Sequence, residues 1–195
     1  MKKLSYLFLL LIGISLFTPA ANADEDKTVK FGAYINQVRD VDLKSQSFSA
    51  DVYVWFKWKD QAISPDETFE FMNTFDASSS TLKKSFVKIR KLPNGENYQV
   101  IRYQGRFSSN ISLRSYPFDR QTLKIIIEDN ALTTTNLTYV ASQSDVSVNK
   151  DLALPGYEIS IPRITIVNQK YPTDFGYPTS GAQDIYSREI GRAHV

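Results

Sequence analysis

The chain has 195 residues, 42% hydrophobic, 23% charged and 13% aromatic, with 23 Lys plus Arg against 21 Asp plus Glu. It has no Cys and a single His, His194, so disulfides, thiol catalysis and Cys-ligated zinc are excluded and a His-based triad or metal centre has no footing. Once Lys2 and Lys3 are lost with a cleaved leader, cations and acids balance, and no basic footprint for nucleic acid remains.

Met1-Lys2-Lys3, the apolar run Leu4 to Phe17 and Ala21-Asn22-Ala23 form a signal peptide over residues 1–23, cut after Ala23. The run is too short for a membrane span, which needs roughly 20 residues. The Met-Lys-Lys start is bacterial in style and sends the product to the periplasmic or extracellular face of the inner membrane. A domain of this length buries enough core without disulfides.

Val29 to Arg39 reads as a strand, with Val29, Phe31, Ala33 and Ile35 alternating; Asp40 to Ser45 turns the chain. Ser47 to Lys59 is the clearest strand. Phe48, Ala50, Val52, Val54, Phe56 and Trp58 fall on one face at period two. Tyr53 and Trp55 lie on the other, either packing across strands or walling an interface or ligand. Phe86 to Lys91 and Tyr98 to Ile111 flank Leu92-Pro93-Asn94-Gly95-Glu96, where Asn-Gly supplies a hairpin turn. In the second of these strands Ile101, Tyr103, Phe107 and Ile111 share a face opposite Arg102, Gln104 and Arg106. Thr122 to Glu128 reads as a central strand and Tyr157 to Val167 as one strand or two; Ser142 to Asp151 and Tyr171 to Asp184 read as loops. Many short strands with no amphipathic helix between them predict an all-β antiparallel sandwich or barrel in one domain. The neighbouring acids Glu128-Asp129 point to opposite faces of a strand, which argues against a paired-carboxylate hydrolase.

Asp40-Val41-Asp42-Leu43-Lys44-Ser45-Gln46, running into a strand that ends Trp58-Lys59-Asp60, is followed later by Tyr116-Pro117-Phe118-Asp119-Arg120-Gln121. Together these resemble the extracellular domain of the pentameric ligand-gated ion channels, the Cys-loop receptor superfamily, over about Val29 to Arg188. The second block is similar to the core of the family's signature loop. The two Cys that bracket that loop in animal members fall at Ser109 and Leu123 here, which is the pattern of the prokaryotic, cysteine-less branch. The fold implied is an immunoglobulin-like sandwich of about nine to ten strands, five copies of which form a ring.

The resemblance implies ligand contacts at subunit interfaces: Tyr53, Trp55, Arg102 and Arg106 on the complementary side; Asn130 at the family's loop B position; and Tyr171, Phe175 and Tyr177 in loop C. Asn130 stands where animal members carry a Trp, and Arg102 and Arg106 could suit a carboxylate ligand or be solvated strand charge. Coupling to the pore is implied for Asp42, Tyr116, Pro117, Phe118 and Asp119. Leu43 falls where some members carry the acid matched here to Asp42, and Asp119 read alone is an ordinary turn-capping acid. The implied partners are four further copies of the chain, a small-molecule ligand or protons, and the membrane through a pore domain; no cofactor or metal is implied, and no enzymatic activity.

The family's last strand would begin at Ile185-Tyr186-Ser187-Arg188, and Ile190 to Val195 is polar without alternation. That hexapeptide is what one frame of a common sequencing-adapter oligonucleotide encodes. The expectation is a ligand-binding domain over 24–189 with a truncated last strand, an artefactual tail over 190–195 and a missing transmembrane domain. The alternative is a free-standing periplasmic β-sandwich binding protein without a pore.

Overall fold

The computed structural model describes residues 27–112, 114, 120–141, 143–173, 176 and 184–195, with backbone alone at 143 and 194. The leader and Tyr116, Pro117, Phe118, Asp119, Phe175 and Tyr177 lie outside the described residues. The described chain forms two sheets. The larger contains β1 (Thr28–Asp42), β2 (Ser47–Trp58), β4 (Thr81–Lys84), β5 (Arg90–Lys91), β6 (Asn97–Ser108), β8 (Thr138–Val140) and β9 (Val146–Val148). Its central order is β4-β6-β2-β1-β8; β5 also pairs with β6, and β9 with β1. The smaller runs β10 (Arg163–Lys170), β11 (Ile185–His194), β7 (Thr122–Asp129), β3 (Phe69–Phe71). The helical pieces are a one-turn helix, Pro65–Thr68, and two 3-10 turns, Ala77–Ser79 and Gln143–Asp145.

The sandwich is all-β, and its core is the one the alternation of β2 requires. Phe48, Ala50, Val52, Val54, Phe56 and Trp58 are buried. Phe56 of the larger sheet packs on Phe69 of the smaller at 5.0 Å between ring centroids, and Tyr103 on Phe71 at 4.3 Å. Those contacts between facing sheets define a sandwich. Thr122 to Glu128 is central as expected, with β11 on one side and β3 on the other. Asn94-Gly95 closes the β5–β6 hairpin: Gly95 sits at φ +83° and donates to the Leu92 carbonyl at 2.9 Å.

Four elements differ from the sequence reading. The β1 strand continues to Asp42 through two bulges, so the turn is Leu43 to Gln46, with Asp40 and Gln46 at positive φ. Within Phe86 to Lys91 only Arg90 and Lys91 pair, because Val87 and Ile89 find no apolar cover, and β4 takes the edge of β6 instead. Within Ser142 to Asp151, Val146–Val148 pairs parallel with β1. The strand expected from Tyr157 starts only at Arg163, after Pro162, which has no N–H to give a ladder.

β11 is a ten-residue strand and not a stub: it pairs with both β10 and β7, through Arg192 on one side and His194 on the other. Its inward positions are Ser187, Glu189, Gly191 and Ala193, small or polar residues that give no hydrophobic alternation to read. Glu189 projects into an apolar cavity lined by Phe31, Phe48, Ile125, Ile127 and Ile164. Neither of its carboxylate oxygens has a hydrogen-bond partner among the described residues, and burial pushes its pKa well above the usual carboxylate range. Among the described residues no helix is long and apolar enough to cross a membrane.

Candidate ligand site

The residues singled out in the sequence fall in two places. The first is the outer face of the larger sheet. Here β2 presents Tyr53 and Trp55, both half-buried, while Phe56 between them and Trp58 is fully buried. Cross-strand pairing sets Tyr34 of β1 and Arg102 of β6 on either side of Tyr53. Tyr34 and Tyr53 lie 6.2 Å apart, and the Arg102 guanidinium is 5.3 Å from the Tyr53 ring centre. Trp55 lies over Gly32 so closely that a Cβ there would stand 2.2 Å from the indole.

Arg102 is spent within the chain. Its Nε donates to Asp51 Oδ1 at 2.9 Å and its Nη2 to Oδ2 at 2.5 Å, while Asn36 donates to Oδ2 at 2.8 Å. This fork holds the Asp51 carboxylate below its ordinary range and the guanidinium above its own. Arg106 donates through Nη2 to Ser47 Oγ at 2.6 Å and lies 4.5 Å from the Phe75 ring centre. The two guanidinium groups therefore hold the sheet surface together, and a carboxylate ligand would have to compete with Asp51 for Arg102.

The second place is the end of the smaller sheet, where Tyr171 lies against Glu128 and the Thr134 N–H donates to the Ile185 carbonyl at 2.7 Å. Glu128 of β7 accepts from Tyr171 Oη at 2.8 Å and from Arg188 Nε of β11 at 2.9 Å. Arg188 also donates to Tyr171 Oη at 2.6 Å and to Gln169 Oε1 at 3.1 Å. Tyr186 meets Tyr171 edge-on at 5.9 Å. Burial, reinforced by the Glu128 carboxylate, raises the Tyr171 phenol above its usual range. Asn130, next along the chain, is exposed and anchored through its backbone N–H to the Thr68 carbonyl at 2.9 Å. Asp129 points the other way: it is fully buried, caps Ala131 and Leu132 through their N–H groups, and accepts from Thr68 Oγ1. With both Glu128 oxygens committed to Tyr171 and Arg188, the adjacent acids do not form a paired-carboxylate centre.

Reading the sequence did not single out Arg188, Tyr186, Tyr34 or Asp51 as site residues. The signal for Tyr34 was present, since it stands opposite Tyr53 once Val29 is set against Trp58. For Arg188 there was none, because its partner Glu128 lies 60 residues away. Asp42 ends β1 at the mouth of the β1–β2 turn, exposed, accepting from the N–H groups of Lys44 at 2.9 Å and Ser45 at 3.1 Å. The Ser45 hydroxyl, followed by those two N–H groups, holds it below the usual carboxylate range. At the neck of the signature loop, Ser109 is buried and donates through Oγ to the Thr122 carbonyl at 2.9 Å, one residue before Leu123.

No family model matches the chain. It is similar to the proton-gated ion channel of Gloeobacter violaceus, with 28% identity over 159 residues, covering 72% of this chain and 43% of that protein. The chain thus spans less than half the length of the curated relative it matches.

Proposed function

We propose that the chain is the ligand-sensing domain of a prokaryotic pentameric ligand-gated ion channel, exported by its leader and standing on the outer face of the inner membrane. The observation that carries this reading is the similarity to a proton-gated channel across 159 residues, on a chain that folds as an all-β sandwich of two sheets. In this reading five copies form a ring. The Tyr53 face of one copy meets the Asn130 and Tyr171 end of the next, and a small molecule or protons bind between them. Stimulus binding favours one arrangement of the ring. Asp42 at the mouth of the β1–β2 turn and Asp119 in the signature loop pass that preference to a pore domain that follows in the full protein.

Protons are the stimulus named for the relative. Asp51, held below its ordinary range by Arg102, and Glu96, held down by Lys30 at 2.7 Å, stay charged through mild acid and are not the sensors. The test is the reading frame downstream of the Arg188 codon in the source genome. Four apolar spans in frame are the expected result. A stop codon with no such spans would leave a free-standing binding protein as the better reading.

A further inference from the structure

Asn73 stands where the chain leaves one sheet for the other. The β3–β7 ladder runs to Phe71 opposite Ile127, and the Met72 N–H still donates to the Ile126 carbonyl at 2.8 Å. The backbone then crosses to the larger sheet, where Thr74 bridges Phe107 and the Phe75 N–H donates to the Arg106 carbonyl at 2.9 Å. At the crossing point the Asn73 side chain stands in for the missing strand. Its Oδ1 accepts from the Ile126 N–H at 2.9 Å, and its Nδ2 donates to the carbonyls of Lys124 at 2.8 Å and Ser108 at 2.7 Å. Its backbone carbonyl accepts from the Ser108 N–H at 2.7 Å. One amide, with two donors and an acceptor, thereby joins the end of β6 to β7.

The tie continues beyond Asn73. Ser109, next after Ser108, donates its N–H to the carbonyl of Gln46 in the β1–β2 turn at 2.8 Å and its hydroxyl to Thr122 at 2.9 Å. Gln121 Nε2 closes the same neck on the Ser112 carbonyl at 2.7 Å. The β1–β2 turn, the neck of the signature loop and the strand that carries Glu128 thus meet through hydrogen bonds of Ser109, next to the Ser108 that Asn73 ties to β7.

We infer that Asn73 is a positioning residue for coupling: it makes the β1–β2 turn and the signature-loop neck move with β7, so that a change at the Glu128, Tyr171 and Arg188 cluster reaches the loops that face the pore. The inference rests on the channel reading above. A side chain lacking either the donors or the acceptor breaks the tie without unfolding the sandwich, because Phe56, Phe71, Tyr103 and Phe107 hold the core independently.

The experiment has two arms, on the protein from its complete reading frame and on its Asn73→Ala and Asn73→Ser variants. The first arm records currents against external pH and against a panel of small amines and carboxylates. Asn73→Ala shifts the half-maximal stimulus concentration by roughly tenfold, the ordinary size of a coupling between sites, at unchanged surface expression. Asn73→Ser, which keeps a donor and an acceptor on a shorter side chain, gives a smaller shift. The second arm follows amide hydrogen exchange. Asn73→Ala loses protection at Ser108, Ile126, Ser109 and the 43–46 turn, and keeps it in the centre of β2 and β6. Unchanged stimulus response in both variants, or exchange confined to Ser108 and Ile126, overturns the inference. If the unaltered protein gives no current, the channel reading fails, and the spread or confinement of exchange alone decides whether Asn73 ties the turn to β7.

Discussion

Gly32 is small because Trp55 occupies the space a side chain would need. Gly32→Ala therefore pushes the indole off the sheet, at a cost of about 1–3 kcal/mol for overpacking. Trp58 is buried and donates its indole N–H to the Ile63 carbonyl at 3.1 Å, so it serves as an internal reference. The variant should show red-shifted tryptophan emission with unchanged far-UV circular dichroism; unaltered emission would mean that Trp55 is not seated on Gly32. Two other side chains give opposite pH signatures. Asp51 has a lowered folded pKa, so its contribution is present above the unfolded value of about 3.9 and is lost as pH falls through the folded one. Glu189 has a raised folded pKa, so its unfolded form ionises first and stability falls as pH rises above the unfolded value of about 4.3. Glu189→Leu should raise the urea midpoint at pH 7 more than at pH 4, and Asp51→Asn should lower it more at pH 7 than at pH 3. Parallel shifts at both pH values would contradict these charge assignments.

At the level of elements, period two decided what was legible. β2 was read to within one residue and β6 to within three, with the right face inward, because both carry apolar residues along one alternating face. β4 and β9 were not, because they are edge pieces held by backbone pairing, and pairing leaves no mark in the side chains. β11 was misread as ending early because Gly191 and Ala193 fill its inward positions and Glu189 interrupts them. The site divides in the same way. The Tyr53 and Trp55 face followed from alternation alone, whereas the Glu128, Arg188 and Tyr171 cluster depends on a register that no local pattern states. That cluster makes its own prediction. Arg188 and Glu128 side chains are 16% and 4% exposed, so Arg188→Ala leaves a buried carboxylate short of its cation and should destabilise by about 3–5 kcal/mol. Tyr171→Phe removes one hydrogen bond to that carboxylate and should cost about 1.5–3 kcal/mol. Urea unfolding of both variants measures this; equal, negligible costs would mean that the cluster does not anchor Tyr171 to β7 and β11.

For the whole molecule, the two sheets bring into one domain an aromatic face on one side and a tyrosine–arginine–glutamate cluster on the other, with an amide tie beneath leading to the β1–β2 turn. Apart, the two faces do little chemistry: their arginines and acids are paired within the chain. Under the proposed channel reading they acquire a common purpose when copies stand side by side in a ring, with the Tyr53 face of one against the Tyr171 end of the next. The most direct test of that account is voltage-clamp recording from membranes expressing the complete reading frame, stepped from neutral to acidic external pH and then perfused with small amines and carboxylates. The account expects a stimulus-evoked current whose half-maximal concentration moves when Tyr53 is changed to Ala. A protein that reaches the membrane surface and passes no current under any of these stimuli would contradict it.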